Sequence, residues 1–287
     1  MRRTEAGCAG DTRPSHPLEK IGKVRTMVKV IGANADELAQ RDELEFRDEA
    51  TQHIAEMNRL LDEIAAQGPA ENLLEQFRRH GHELQGAGRS FGYPVLSMIA
   101  HRLGAYLDDL TDWQDRSQND LQIFVDKLGE MLERKSQPAD EEIASIVRAL
   151  PSHINQSFSE KDVEIRNVEI LLVTPARAVA KLLAQQIKAC GFRVTTLADP
   201  VEALAMALRL RPDMVLTSQV MTGLNGVDLL RALKAIEGTE KIPGAVLTSQ
   251  DLAATVFNRL PQGTAIIRTG GNFADDFAKV VTQFGLG

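Results

Sequence analysis

The sequence predicts two domains of different class: an all-α antiparallel four-helix bundle, then an α/β doubly wound, five-stranded parallel sheet. Three observations predict it. The chain has 287 residues, enough for two folded units at ~100–200 residues each. From Arg41 to Phe158 the apolar residues follow a helical rhythm and β-branched runs are scarce. From Val168 onward, short branched apolar runs alternate with helical stretches, the pattern of a parallel sheet covered on both faces.

Each element follows from local signals. Residues 1–40 mix glycine, proline and charge without sustained periodicity and are expected to form a loosely ordered extension. Helices are expected at 41–67, closed by Gly68-Pro69, then at 70–90, 94–110, 118–136 and 139–150, the last ahead of Pro151. These lengths with short connections suit an antiparallel bundle over 41–158. The polar run SEKDVEIRN, 159–167, reads as a linker. In 168–287 the strands VEILLVT, FRVTTL, MVLTS, AVLTS and AIIRT alternate with helices at 176–188 and near 200–210, 227–237, 250–260 and 273–284. Such a sheet places a site at the C-terminal ends of its strands.

Composition narrows the function. With 43% hydrophobic and 25% charged residues, the chain is neither wholly disordered nor fibrous. It has no run approaching the ~18 apolar residues of a membrane span, and its first thirty residues lack the apolar core of a secretory signal. A cytoplasmic location without a membrane partner is expected. Cys8 and Cys190 lie far apart with no companion ligands, so neither a disulfide framework nor a zinc knuckle is indicated, and no metal or cofactor is expected. The net charge of −7 divides into +2 over 1–40, −11 over 41–160 and +2 over 161–287. An acidic middle argues against nucleic acid, because phosphate backbones select clustered lysine and arginine.

The stretch EQFRRHGHELQGAGRSFG carries the first constellation. At about 100° per residue, Leu73, Phe77, His80 and Leu84 share one direction, the core face, and His82 points away from it. His80 then reads as a packed histidine. Arg78, Arg79, Gln85, Gly86 and Arg89 are the helical neighbours of His82. Gly86 leaves the imidazole uncovered on the next turn, although glycine in mid-helix costs about 1 kcal/mol relative to alanine. An exposed imidazole flanked by guanidinium groups suits transient phosphorylation. His80 and His82 diverge on a helix and do not make a metal pair. His101, on the next helix, has two open placements, near His82 or on the surface.

His82-Glu83-Leu84-Gln85-Gly86-Ala87-Gly88, followed by Ser90-Phe91-Gly92, resembles the histidine-containing phosphotransfer (HPt) domain of bacterial phosphorelays. Leu96, Ala100, His101, Leu103 and Leu107 continue the match, which spans roughly residues 41–150. The resemblance implies a bundle whose His82 accepts a phosphoryl group from one aspartyl phosphate and passes it to another. It implies as partner the receiver domain of a response regulator or hybrid histidine kinase, with a histidine kinase as a further candidate. Gln85 stands where the family usually has lysine or arginine. Gly104 stands where the related chemotaxis-kinase domain has an orienting glutamate.

The second half resembles the response-regulator receiver domain across nearly its whole length, notably at Met221-Thr222-Gly223-Leu224-Asn225-Gly226 and Val246-Leu247-Thr248-Ser249. Receiver chemistry, as the resemblance implies it, needs an acidic pair after the first strand, an aspartate after the third and a lysine after the fifth. This chain has Thr174 and Pro175, Ser218, and Thr269-Gly270-Gly271 at those places, and keeps only Thr248. A serine forms no acyl phosphate, so a degenerate receiver is expected, with Thr174, Ser218 and Thr248 as a polar cluster. The expected function is a phosphocarrier without turnover of its own, with the receiver-like half used for binding or regulation. The alternative is a phosphorylation-independent adaptor in the same kind of pathway.

Overall fold

The structure, a computed structural model, describes residues 17–110, 112–134, 136–152, 167–249 and 258–287, the side chains of 17–36 and 115 excepted. Helix α1 runs Pro17–Gln67. The extension expected to be loose is therefore helical from residue 17, and residues 1–16 lie outside the described set. Pro17 opens the helix at a position where its missing N–H costs nothing. Helices α2 (Glu71–Ser90), α3 (Pro94–Asp109), α4 (Asp115–Glu133) and α5 (Asp140–Ala149) follow within a few residues of their expected bounds. Residues 153–166, with most of the expected linker, and 250–257, with most of one expected helix, fall outside the described set.

Met1–Glu49 and Ala50–Gly287 form separate compact units, and the second carries the features below. Its helical part closes around Met57, Leu60 and Ile64 of α1, Phe77 and Leu84 of α2, Leu96, Ile99 and Leu103 of α3, and Leu121, Phe124 and Leu128 of α4, all buried. Helices α2 and α3 approach closely at Gly88. A Cβ there would lie 3.1 Å from the Ser97 nitrogen and 3.2 Å from the Tyr93 oxygen. The turn between them needs Gly92, at φ +76°, a conformation open to glycine.

The sheet is parallel with order β2-β1-β3-β4-β5. Its strands are β1 (Glu169–Val173), β2 (Arg193–Leu197), β3 (Met214–Ser218), β4 (Gly244–Thr248) and β5 (Ala265–Arg268), and its helices α6 (Arg177–Ala189), α7 (Pro200–Leu210), α8 (Gly226–Ala235) and α9 (Phe273–Gln283). Every residue of β1 is buried, as a central strand covered on both faces requires. One apolar layer joins Ile170, Leu172 and Leu216 to α6 and α9. The other joins Leu171, Val173 and Val215 to α7 and α8.

The bundle meets the sheet along α3 and α5. Arg102 of α3 inserts between β1 and β2, pairing with Glu169 and donating to the Val194 carbonyl at 3.2 Å. Glu169 is wholly buried and also accepts from Thr195 Oγ1 at 2.8 Å. Arg193 completes the cluster, 3.6 Å from Glu169 and donating to the Leu150 carbonyl at 2.9 Å. Around it lie Asp109 with Lys188, Arg89 with Glu202, Arg148 with Asp213 and Glu141 with Arg211.

Candidate functional site

His82 is exposed on α2. Opposite stands Gly104 of α3, where a Cβ would lie 3.9 Å from the imidazole Cε1. The close α2–α3 contact at Gly88 sets this face-to-face placement. His82 opens into a cleft of about 620 Å³ whose far wall is α6 and β2, with Arg177, Lys181 and Thr196 on that side and Ala105 and Asp108 on the bundle side. Asp109 and Lys188 also line it and pair with each other. Asp108 lies 3.6 Å from Arg78. Arg177 and Lys181 are exposed, and no ion pair joins either to a carboxylate among the described residues. The cleft thus has an imidazole on one wall and two cations outside any ion pair on the other, beside two carboxylates already engaged by Arg78 and Lys188.

Behind His82, His101 is held between α2 and the sheet, its Nδ1 3.2 Å from Gln85 Nε2. Burial, foremost, and the neighbouring Arg102 push its pKa down to about 4, against a partial offset from the Thr196 backbone. The ring is neutral at ordinary pH. On the α1 side, His80 is half-buried with its Nδ1 2.9 Å from that of His53. Its pKa is lowered, by burial first and then by His53.

At the strand C-termini of the sheet, Thr174 is buried and its N–H donates to the Leu197 carbonyl at 2.9 Å. Thr248 is buried and donates its hydroxyl to Gln219 Oε1 at 2.7 Å. Ser218 ends β3, half-buried, with Gly226 packed so close that a Cβ there would lie 2.2 Å from the Ser218 carbonyl oxygen. The Thr269 N–H donates to the Thr248 carbonyl at 2.9 Å.

The Hpt domain family matches residues 44–138, and the response regulator receiver domain family matches residues 170–265. The chain carries an Hpt domain and a receiver domain. Among curated proteins, the DNA-binding response regulator MtrA of Mycolicibacterium paratuberculosis is 32% identical over 94 residues, 33% of this chain and 40% of MtrA. Response regulator PleD of Caulobacter vibrioides is 35% identical over 85 residues, 30% of this chain and 19% of PleD. The chain thus spans less than half the length of these relatives. Among solved structures, the receiver domain of a sensor histidine kinase from Pseudomonas aeruginosa is 23% identical, with a TM-score of 0.38, covering 41% of this chain and 98% of that one.

Placement within the two domains corrects several expectations. Arg78 and Arg89 do lie on α2 near His82, but Asp108 of the Hpt domain and Glu202 of the receiver domain engage them. Arg79 is exposed on the flank that carries His80. Gln85 turns to His101. Gly86 is exposed with open space around its would-be Cβ. The cleft cations come instead from the receiver domain, nearly a hundred residues away, and no local spacing announces them. In the receiver domain, Thr248 is satisfied by Gln219. No side-chain hydrogen bond ties Thr174 or Ser218 to it among the described residues, so in place of the expected three-residue cluster Thr248 bonds to Gln219. Pro175 is exposed and carries no acid to the strand end. The described helices include none long and apolar enough to cross a membrane.

Proposed function

We propose that His82 is the phosphoacceptor of a cytoplasmic phosphorelay, and that the receiver domain takes no phosphate itself but serves binding and regulation. The observation that carries this is the cleft: an exposed imidazole on the Hpt domain facing Arg177 and Lys181 of the receiver domain. In the step proposed, a ring nitrogen of His82 attacks, through its lone pair, the phosphorus of a partner's aspartyl phosphate. The P–N bond forms as the P–O bond breaks, and the partner's carboxylate leaves as the free anion. Arg177 and Lys181 then lie where the transferred charge arrives, and stand in for the cation that Gln85 does not supply. The partner is a receiver domain of a response regulator or hybrid histidine kinase. The receiver domain of this chain lacks the carboxylates to hold Mg²⁺ at Thr174 and Pro175, and lacks a carboxylate nucleophile at Ser218, which supports its assignment as a non-phosphorylatable module. A phosphorylation-independent adaptor is the second reading. It is favoured by Gln85 and Gly104, which depart from the family's pattern beside His82.

Incubation with a panel of phosphorylated receiver domains tests the reading. Wild-type chain takes up acid-labile phosphate, and His82→Gln takes up none. Arg177→Ala combined with Lys181→Ala slows uptake about tenfold, the scale of a partly exposed charge-assisted contact. Uptake that persists in His82→Gln removes the relay assignment and leaves the adaptor.

A further inference from the structure

We propose that His53, His80 and Glu83 form a zinc site that joins α1 to α2, independently of the relay reading. His53 Nδ1 and His80 Nδ1 are 2.9 Å apart. Glu83 Oε2 lies 3.3 Å from the first and 3.7 Å from the second. These three distances define a triangle of single atoms. The point equidistant from its corners is about 1.9 Å from each. An ion raised about 0.7 Å out of that plane stands ~2.05 Å from all three atoms, within the Zn–N and Zn–O bond range. The same elevation is the one a tetrahedral centre has above three of its ligands.

The donor chemistry agrees. Two imidazoles and one carboxylate are a zinc ligand set that leaves a fourth position for water. A proton shared between the two Nδ1 atoms accounts for the 2.9 Å separation alone. It does not account for a carboxylate oxygen converging on the same point. His80 and Glu83, three residues apart, occupy one face of α2, and His53 reaches them from α1. Both histidines are half-buried and Glu83 is exposed, so the ligand frame is held by packing while its open side faces water. Arg79 and Glu56 are the other charges near His80, and they carry opposite signs. Zinc here would act as a staple between two bundle helices, on a different face of α2 from His82. Magnesium, which prefers an oxygen shell and keeps its waters, is a poor match.

The test uses the full chain, stripped with chelator and titrated with ZnCl₂ by calorimetry and with Co²⁺ by visible absorption. One Zn²⁺ binds per chain, Co²⁺ gives the d–d bands of a four-coordinate centre, and Zn²⁺ raises the melting temperature, as any ligand selective for the folded state does. His53→Gln and Glu83→Gln each weaken Zn²⁺ binding at least about tenfold, whereas His82→Gln leaves it unchanged. Glu83 is exposed, so its variant separates loss of a ligand from loss of fold. The proposal is overturned by an absence of stoichiometric binding, by unchanged affinity in His53→Gln and Glu83→Gln, or by Mg²⁺ producing the same thermal shift.

Discussion

Among single residues, the chemistry divides between what one helix can announce and what only docking assembles. Rotation about α2 is enough to turn His82 outward, because 3.6 residues per turn is a local property. His101 shows the opposite case. Its sequence neighbourhood left two placements open, and packing against Gln85 and the Thr196 backbone leaves it half-buried. The consequence is a pH dependence of defined sign. The folded-state pKa of His101, about 4, lies below the ~6.5 of an unfolded histidine. Above pH 6.5 both states are neutral and stability is full. As pH falls from 6.5 to 4 the unfolded chain gains a proton that the folded chain refuses, and at most about 3 kcal/mol of stability is lost. Urea unfolding at intervals across that window measures the slope. His101→Gln, which does not titrate, flattens it in part.

At the level of elements, two glycines of α2 that look alike in sequence have opposite structural roles. Gly88 touches the Ser97 and Tyr93 backbone, whereas Gly86 has nothing within 4 Å of its would-be Cβ. Gly88→Val therefore forces α2 and α3 apart and destabilises the bundle by about 1–3 kcal/mol, the usual cost of overpacking. Gly86→Ala gains about 1 kcal/mol in helix propensity and yet slows phosphate uptake, since its methyl group lies on the turn next to His82. Chemical denaturation and the transfer assay read the two effects separately. Boundaries were legible where periodicity and punctuation agree: Gly68-Pro69 closes α1, Pro94 opens α3, and Asn225 caps α8. The start of α1 was not legible. Pro17 and the glycines Gly22 and Gly32 read there as breaks, although Ile21, Val24, Val28 and Ile31 recur at helical spacing.

On the scale of the whole molecule, the two domains read from the sequence are present, but their union was not predictable from charge. The acidic half does not simply dock on the other by sign. Arg89, Arg102 and Arg148 of the bundle pair with acids of the sheet, while Asp109 and Glu141 pair with its bases. Specific placement, not net charge, makes the contact. The decisive member is the Arg102–Glu169 pair, in which the carboxylate is fully buried. Arg102→Ala leaves that carboxylate with the Thr195 hydroxyl and, as its one cation, the more distant Arg193, and the expected loss is about 3–5 kcal/mol, the range for breaking one side of a buried ion pair. Thermal unfolding followed by calorimetry shows the loss, with the single transition of the wild type separating into two as the domains uncouple. Retention of one transition at the wild-type temperature would show that the pair contributes nothing to the union.

Glu169 also constrains how such a chain can be divided. A carboxylate at the first position of a central strand has little to offer an isolated receiver domain, whose edge would present it to Thr195 and Arg193 alone. Arg102 in turn would be a stranded cation on the flank of a solitary bundle. Separating the two modules would return both side chains to water and forfeit the buried pair. The fused chain thus holds a contact that neither module makes alone.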